Sequence, residues 1–304
     1  MDTGSASRAQ AGGVSERPGA ISVYGVDFTS APRPGKPLAV ARCEFSDGLL
    51  TLTDFESLTS FAPLENLLDA TGPGVFGLDF PFSQSVKLVQ GPVPLLPGLT
   101  WPVTWEQLAR RVAVMTKAEF EAALDRYKSG RAKGDKHHRR LADTLTRAQS
   151  PQTMYGVPVG KMFYQGVRIL LRTGCSLVPV RMTGSDRLVF EAYPGVLVRK
   201  LVGAVSYKGE GRDTAPRRDQ RGRILAALAD SGLEAYGLSV AFSPAQTRDM
   251  LSNGSGDLLD ALLCAVQAAW AWSKRRVNYG LPENVDPKVL AFEGWIMDPH
   301  CRQV

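Results

Sequence analysis

Histidine and cysteine, the side chains behind most zinc and covalent chemistry, are scarce: the 304 residues hold three of the first and four of the second. Cys43, Cys175, Cys264 and Cys301 are far apart and form no C-x-x-C pair, which argues against a zinc framework. Isolated thiols of this kind suit a reduced, cytoplasmic setting. His137 and His138 are adjacent, so their side chains diverge, and His300 has no motif around it. Neither Gly-x-Ser-x-Gly nor a Cys–His arrangement marks a covalent nucleophile. The segment 156–161, GVPVGK, is one residue short of the phosphate-loop spacing and lacks the Ser or Thr after its lysine. No apolar run approaches the roughly 20 residues of a membrane span, and there is no internal repeat.

What is present is a core. Apolar residues make up 44% of the chain, ample for one large domain, which we expect over 21–300. Residues 1–20, rich in Gly, Ser, Ala and Arg, are expected to be a disordered tail. Strands are expected at 21–28, 38–45 and 49–54, the last two joined by a Ser46-Asp47-Gly48 hairpin signal. A helix follows over 56–68, shortened or kinked by Pro63, and then a wholly apolar strand over 75–80. A meander, a helix and a strand buried on both faces imply a mixed α/β sheet. The span 83–186, rich in proline at first and helical later (105–114, 117–127, 154–172), reads as a large helical and loop insertion or cap. Beyond it come a strand at 187–193, helices at 196–202, 219–231 and 244–251, a basic loop at 208–223, a long helix at 257–273 and a terminal strand or extended return at 289–297.

The informative residues are acids that interrupt these apolar segments. Asp27 closes ISVYGVDF, Asp79 closes VFGLDF, Glu191 ends LVFE, and Asp257 and Asp260 open DLLDALLCAV. Asp257 and Asp260 are three apart and share a helix face, and Asp260 sits among leucines, where a carboxylate needs a partner. Hydrolysis of phosphodiesters with divalent metals needs such carboxylates in one small volume, and Mg²⁺ prefers oxygen ligands. Singly, each acid also has a plainer role. Asp27 can be a turn former, Asp79 and Glu191 can be loop residues before prolines, and Asp257 can complement a helix N-terminus.

Five short blocks, GVDF at 25–28, LDFPF at 78–82, EAYP at 191–194, DLLDALLCA at 257–265 and FEGWI at 292–296, resemble the domain-of-unknown-function family numbered 429. That resemblance implies a predicted nuclease with a ribonuclease-H-like fold, a mixed sheet whose first three strands are antiparallel and whose others are parallel, flanked by helices. It implies Mg²⁺ or Mn²⁺, as two ions, held by acids matching Asp27, Asp79 and Asp260. Asp257 matches the second acid of the helix pair, and Glu191 the family's Glu-x-x-Pro block.

The net charge of +6 permits a polyanionic partner. From residue 126 to 140 stand seven Lys or Arg against one Asp: Arg126, Lys128, Arg131, Lys133, Lys136, Arg139 and Arg140. With Lys208, Arg217, Arg218 and Arg221 they are the candidate grip on nucleic-acid phosphates, with a solvated loop as the plainer alternative for 126–140. The expected function is metal-dependent hydrolysis of nucleic-acid phosphodiester bonds, with Asp27, Asp79, Glu191 and Asp260 catalytic and Asp27, Asp79, Asp257 and Asp260 on the metal. The alternative is a nucleic-acid-binding protein that keeps the fold without the catalysis. No feature calls for a membrane or an obligate protein partner.

Overall fold

The computed structural model describes residues 19–91, 94–209 and 213–301, so the expected tail lies outside the described residues except for Gly19 and Ala20. Strands β1 (Ile21–Asp27), β2 (Leu38–Ser46) and β3 (Leu49–Leu58) form the antiparallel meander. Asp47 and Gly48 turn the hairpin at φ of 50° and 80°, the positive angles that an Asp-Gly pair tolerates. β3 continues to Leu58 because Phe55 and Leu58 still pair with Ala41 and Leu38 of β2. The helix expected from residue 56 is therefore shorter: α1 (Ala62–Leu68) holds Pro63 in its first turn, where the missing N–H has no helical partner to lose.

β4 (Gly74–Leu78) pairs in parallel with β1. Then come α2 (Lys87–Gln90), α3 (Trp105–Ala113), α4 (Lys117–Lys128), α5 (Leu141–Thr146) and α6 (Val159–Arg172). β5 (Ser176–Val178) and β6 (Arg187–Glu191) extend the sheet, followed by α7 (Pro194–Val202) and α8 (Ala215–Ala229). β7 (Ser239–Ala241), α9 (Pro244–Ser252), α10 (Asp257–Ser273) and α11 (Pro287–Glu293) complete the chain. The seven strands lie in the order β5-β6-β4-β1-β2-β3-β7, with every pairing outside the meander parallel. Among the described residues no helix is long and apolar enough to cross a membrane.

Side-chain alternation divides the core in two. Val23, Val75, Leu188 and Phe190 face α10, α7 and α8. Val26, Phe76, Leu78 and Val189 face α3 and α6. The span expected as an insertion thus shares a core with β1 and β4, and it also contains β5.

α10 is the pivot. Residues 259–271 are buried on every side, as suits a helix that is apolar all round. It lies directly on the sheet because Gly25 and Gly77, opposite each other in the β1–β4 pair, have no side chains. A Cβ on Gly25 would stand 1.9 Å from the Ala261 carbonyl oxygen, and one on Gly77 would stand 2.3 Å from that of Cys264. Ala261, Ala265 and Ala268 give α10 the matching small face.

Two expectations are corrected. Residues 289–297 are not a strand: Asp286 accepts from the Lys288 N–H and Pro287 begins α11, leaving a single bridge from Ile296 to Glu191. The helix expected from 154 begins at Val159, after Pro158.

Candidate metal centre

Asp27 follows Gly25 by two residues and Asp79 follows Gly77 by two, so both acids inherit the strand face that α10 covers. The Asp79 N–H donates to the Val26 carbonyl, which continues the β1–β4 register and sets the two acids side by side. Asp260 stands in the first turn of α10, one residue before the Ala261 that packs on Gly25. The close approach of helix to sheet therefore also closes the acids together. One oxygen from each of Asp27, Asp79 and Asp260 lies within 4.8 Å of the other two.

The chain only partly satisfies this cluster. Asp260 is fully buried; its Oδ1 accepts from the Tyr207 hydroxyl at 2.7 Å, and its Oδ2 meets the Lys208 ammonium as an ion pair. Gly256, at φ 82°, leaves room for this loop, since a Cβ there would stand 2.9 Å from Lys208 Cγ. Burial pushes the Asp27 carboxyl up to about 8, helped by the charges of Asp79 and Asp257 and opposed by Lys208 and Lys36. Burial also pushes Asp79 up to about 6, with Glu191 adding to the shift and Lys208 opposing it. Two lysines, Lys208 and Lys36, act on three clustered carboxylates. That deficit, and an all-oxygen donor set, fit a hard divalent cation. Asp257 stands at the edge, close enough to act on Asp27 yet outside the group of three.

Glu191 is placed differently from the expectation. Its Oε2 accepts from the Phe82 N–H at 2.9 Å and Arg140 Nη1 at 2.7 Å, and its Oε1 pairs with Arg140 Nη2. Arg140 also binds Asp143 through Nε at 3.0 Å and Nη2 at 2.7 Å, and donates from Nη1 to the Glu293 carbonyl. Arg140 is 1% exposed, so the expectation that it grips phosphate is corrected: it is a buried counter-ion. Arg221, 0% exposed, is corrected likewise. It holds the carbonyls of Tyr207 and Leu251 and the Asp213 carboxylate, which fixes the loop that carries Tyr207 and Lys208.

The other basic residues divide. Lys128 donates to the Gln152 carbonyl, and Arg131 pairs with Asp135 while lying over the Tyr127 ring. Arg126, Lys133, Lys136, Arg139 and Lys208 are exposed; Arg217 and Arg218 lie in the first turn of α8, Arg218 paired at long range with Asp213. Tyr207, Asp143 and Glu293 were not singled out from sequence. Glu293 accepts from the Val86 and Leu141 N–H groups, both at 2.8 Å, and as an acid within the apolar FEGWI it carried the same signal as Asp79.

A cavity of about 260 Å³ opens beside Asp79. Phe80, Met162 and Tyr193 form apolar walls, Lys208 stands at the acid side, and Arg140 with Glu191 lines the rest.

No curated protein and no solved structure matches the chain. Residues 25–284 match the family described as "Protein of unknown function (DUF429)", a span that holds all three clustered acids together with Lys208, and the chain belongs to that family.

Proposed function

We propose that this chain is a divalent-metal-dependent phosphodiester hydrolase that acts on nucleic acid, on a sheet of the ribonuclease-H-like kind. The observation that carries the reading is the meeting of Asp27, Asp79 and Asp260, from two adjacent strands and a helix, in a cluster short of positive charge beside a cavity. The antiparallel meander followed by parallel strands is consistent with that fold. Asp27, Asp79 and Asp260 hold the cation, Mg²⁺ or Mn²⁺. When bound, the cation neutralises phosphate charge and acidifies a water. Lys208, with its side chain 44% exposed at the cavity, offsets phosphate charge, and Tyr207 fixes the orientation of Asp260.

The test is calorimetric titration of Mn²⁺ into wild type and Asp27→Asn, followed by cleavage assays on labelled DNA and RNA with Mg²⁺. Saturable Mn²⁺ binding that is lost in the variant, together with Asp27-dependent cleavage, is expected. Absence of Asp27-dependent metal binding overturns the reading. One observation favours the non-catalytic alternative: the Lys208 ammonium already stands against Asp260. That alternative requires nucleic-acid binding with no cleavage under any metal.

A further inference from the structure

A second hollow, of about 560 Å³, lies between the basic stretch and the loop before α6, and the acid cluster takes no part in it. Lys87, His137, Arg139, Gln149 and Tyr155 are among its lining. Gln149 also lines the cavity beside Asp79, so the two hollows meet at one side chain. Tyr155 is 70% exposed, with its ring perpendicular to that of His137 and the centroids 5.8 Å apart. His137 Nδ1 is enclosed without a hydrogen-bond partner. The surroundings are positive: burial, Lys128 and Lys136 hold His137 below its ordinary value, and burial, Lys87 and Arg131 do the same for His138, opposed there by Asp135. Cations around a polar hollow with a bare π-face at its rim are the ingredients of a phosphate track with a stacking platform. A base that stacks on an exposed ring must be splayed away from any paired partner, which favours a single strand over a duplex.

We propose that the hollow lined by Lys87, His137, Arg139 and Tyr155 binds single-stranded nucleic acid. Lys87 and Arg139 grip its phosphates, a base stacks on Tyr155, and the strand runs past Gln149 toward Asp79. The direction of the strand rests on the phosphodiesterase reading; the binding itself does not.

The experiment is fluorescence anisotropy in EDTA, with a labelled 12-nucleotide oligothymidylate and a duplex of the same length. Wild type should bind the single strand at least about tenfold more tightly. Tyr155→Ala should weaken that binding by about 5- to 150-fold, the effect of losing one stacked base, while Tyr155→Phe stays near wild type. Lys87→Ala with Arg139→Ala should lower the salt slope of single-strand binding by about 1.4, about 0.7 for each phosphate contact. These side chains are exposed, and melting curves check that the variants fold. Equal affinity for single strand and duplex, or a Tyr155→Ala protein that binds like wild type, overturns the proposal. Its failure is distinct from failure of the hydrolase reading. A cleaving wild type with no Tyr155 effect removes only the strand site, whereas Tyr155-dependent binding without cleavage removes only the hydrolase.

Discussion

Two acid clusters lie beside each other at the ends of β4 and β6, and they are satisfied in opposite ways. In one, Arg140 directs its guanidinium donors at Glu191, Asp143 and the Glu293 carbonyl, and Glu191 also accepts the Phe82 N–H. In the other, three acids, Asp27, Asp79 and Asp260, rely on two lysines: Lys208, half-exposed and paired with Asp260, and Lys36, which acts on Asp27. Both contain buried acids at strand ends. The first is complete within the chain and so holds the fold, while the second leaves negative charge for a ligand to offset.

The largest expected contrast comes from neutralising one acid in each cluster. Asp27→Asn should lower metal-dependent cleavage by at least about 10²-fold, the scale of losing one aligned electrostatic group, while leaving the metal-free melting temperature at or above wild type. Glu191→Gln should instead destabilise the fold by about 1.5–3 kcal/mol, because Arg140 loses charge-assisted bonds to Glu191 while Asp143 still compensates its charge. Chemical denaturation and a cleavage assay on both proteins check this. A stable but inactive Glu191→Gln would move Glu191 into the reacting site and erase the distinction.

The next effect is on pH. The folded Asp27 carboxyl titrates at about 8 against an ordinary 3.8. Between those values the unfolded chain has released a proton that the folded one still holds, so each rise in pH favours unfolding. Metal-free wild type should therefore lose on the order of a few kcal/mol of stability from pH 5 to pH 8, and Asp27→Asn should lose less. Saturating Mn²⁺, which binds the ionised acids, should flatten the wild-type dependence and raise the melting temperature most at the alkaline end. A metal-free melting temperature that rises over that window would contradict the charge deficit.

These contrasts also mark what could be read before the structure. Asp27, Asp79 and Asp260 were legible because each breaks an apolar segment, and a carboxylate there needs a reason. Glu191 and Glu293 broke theirs in the same manner. What separates them is Arg140, which looked like one more cation in a basic run whose neighbours Arg139 and Lys136 are exposed. Nothing local distinguishes a buried arginine from a solvated one until α5 folds back onto the end of β6. Gly25 and Gly77 stand inside the apolar segments ISVYGVDF and VFGLDF, yet their purpose needs α10 in place. β5 and β7, three residues each, are too short to show a period. The apolar run 289–297 fits a strand or a buried helix equally, and the Asp286 cap decided it.

The smallest effect concerns Lys208 and tests whether its ammonium belongs to the fold or stands where a metal would. Lys208→Met keeps the length of the side chain and removes the charge. If Lys208 is a structural counter-ion like Arg140, the variant should unfold more easily and bind Mn²⁺ no better. If it only offsets an open site, its loss should cost less than the roughly 3–5 kcal/mol of breaking a closed buried pair, because the acids can take up a proton or a cation in its place. Mn²⁺ affinity should then rise by up to about fivefold, because the cation no longer competes with the ammonium for Asp260. The two clusters predict opposite outcomes for the removal of their cations, and calorimetry beside a denaturation curve on one variant distinguishes them.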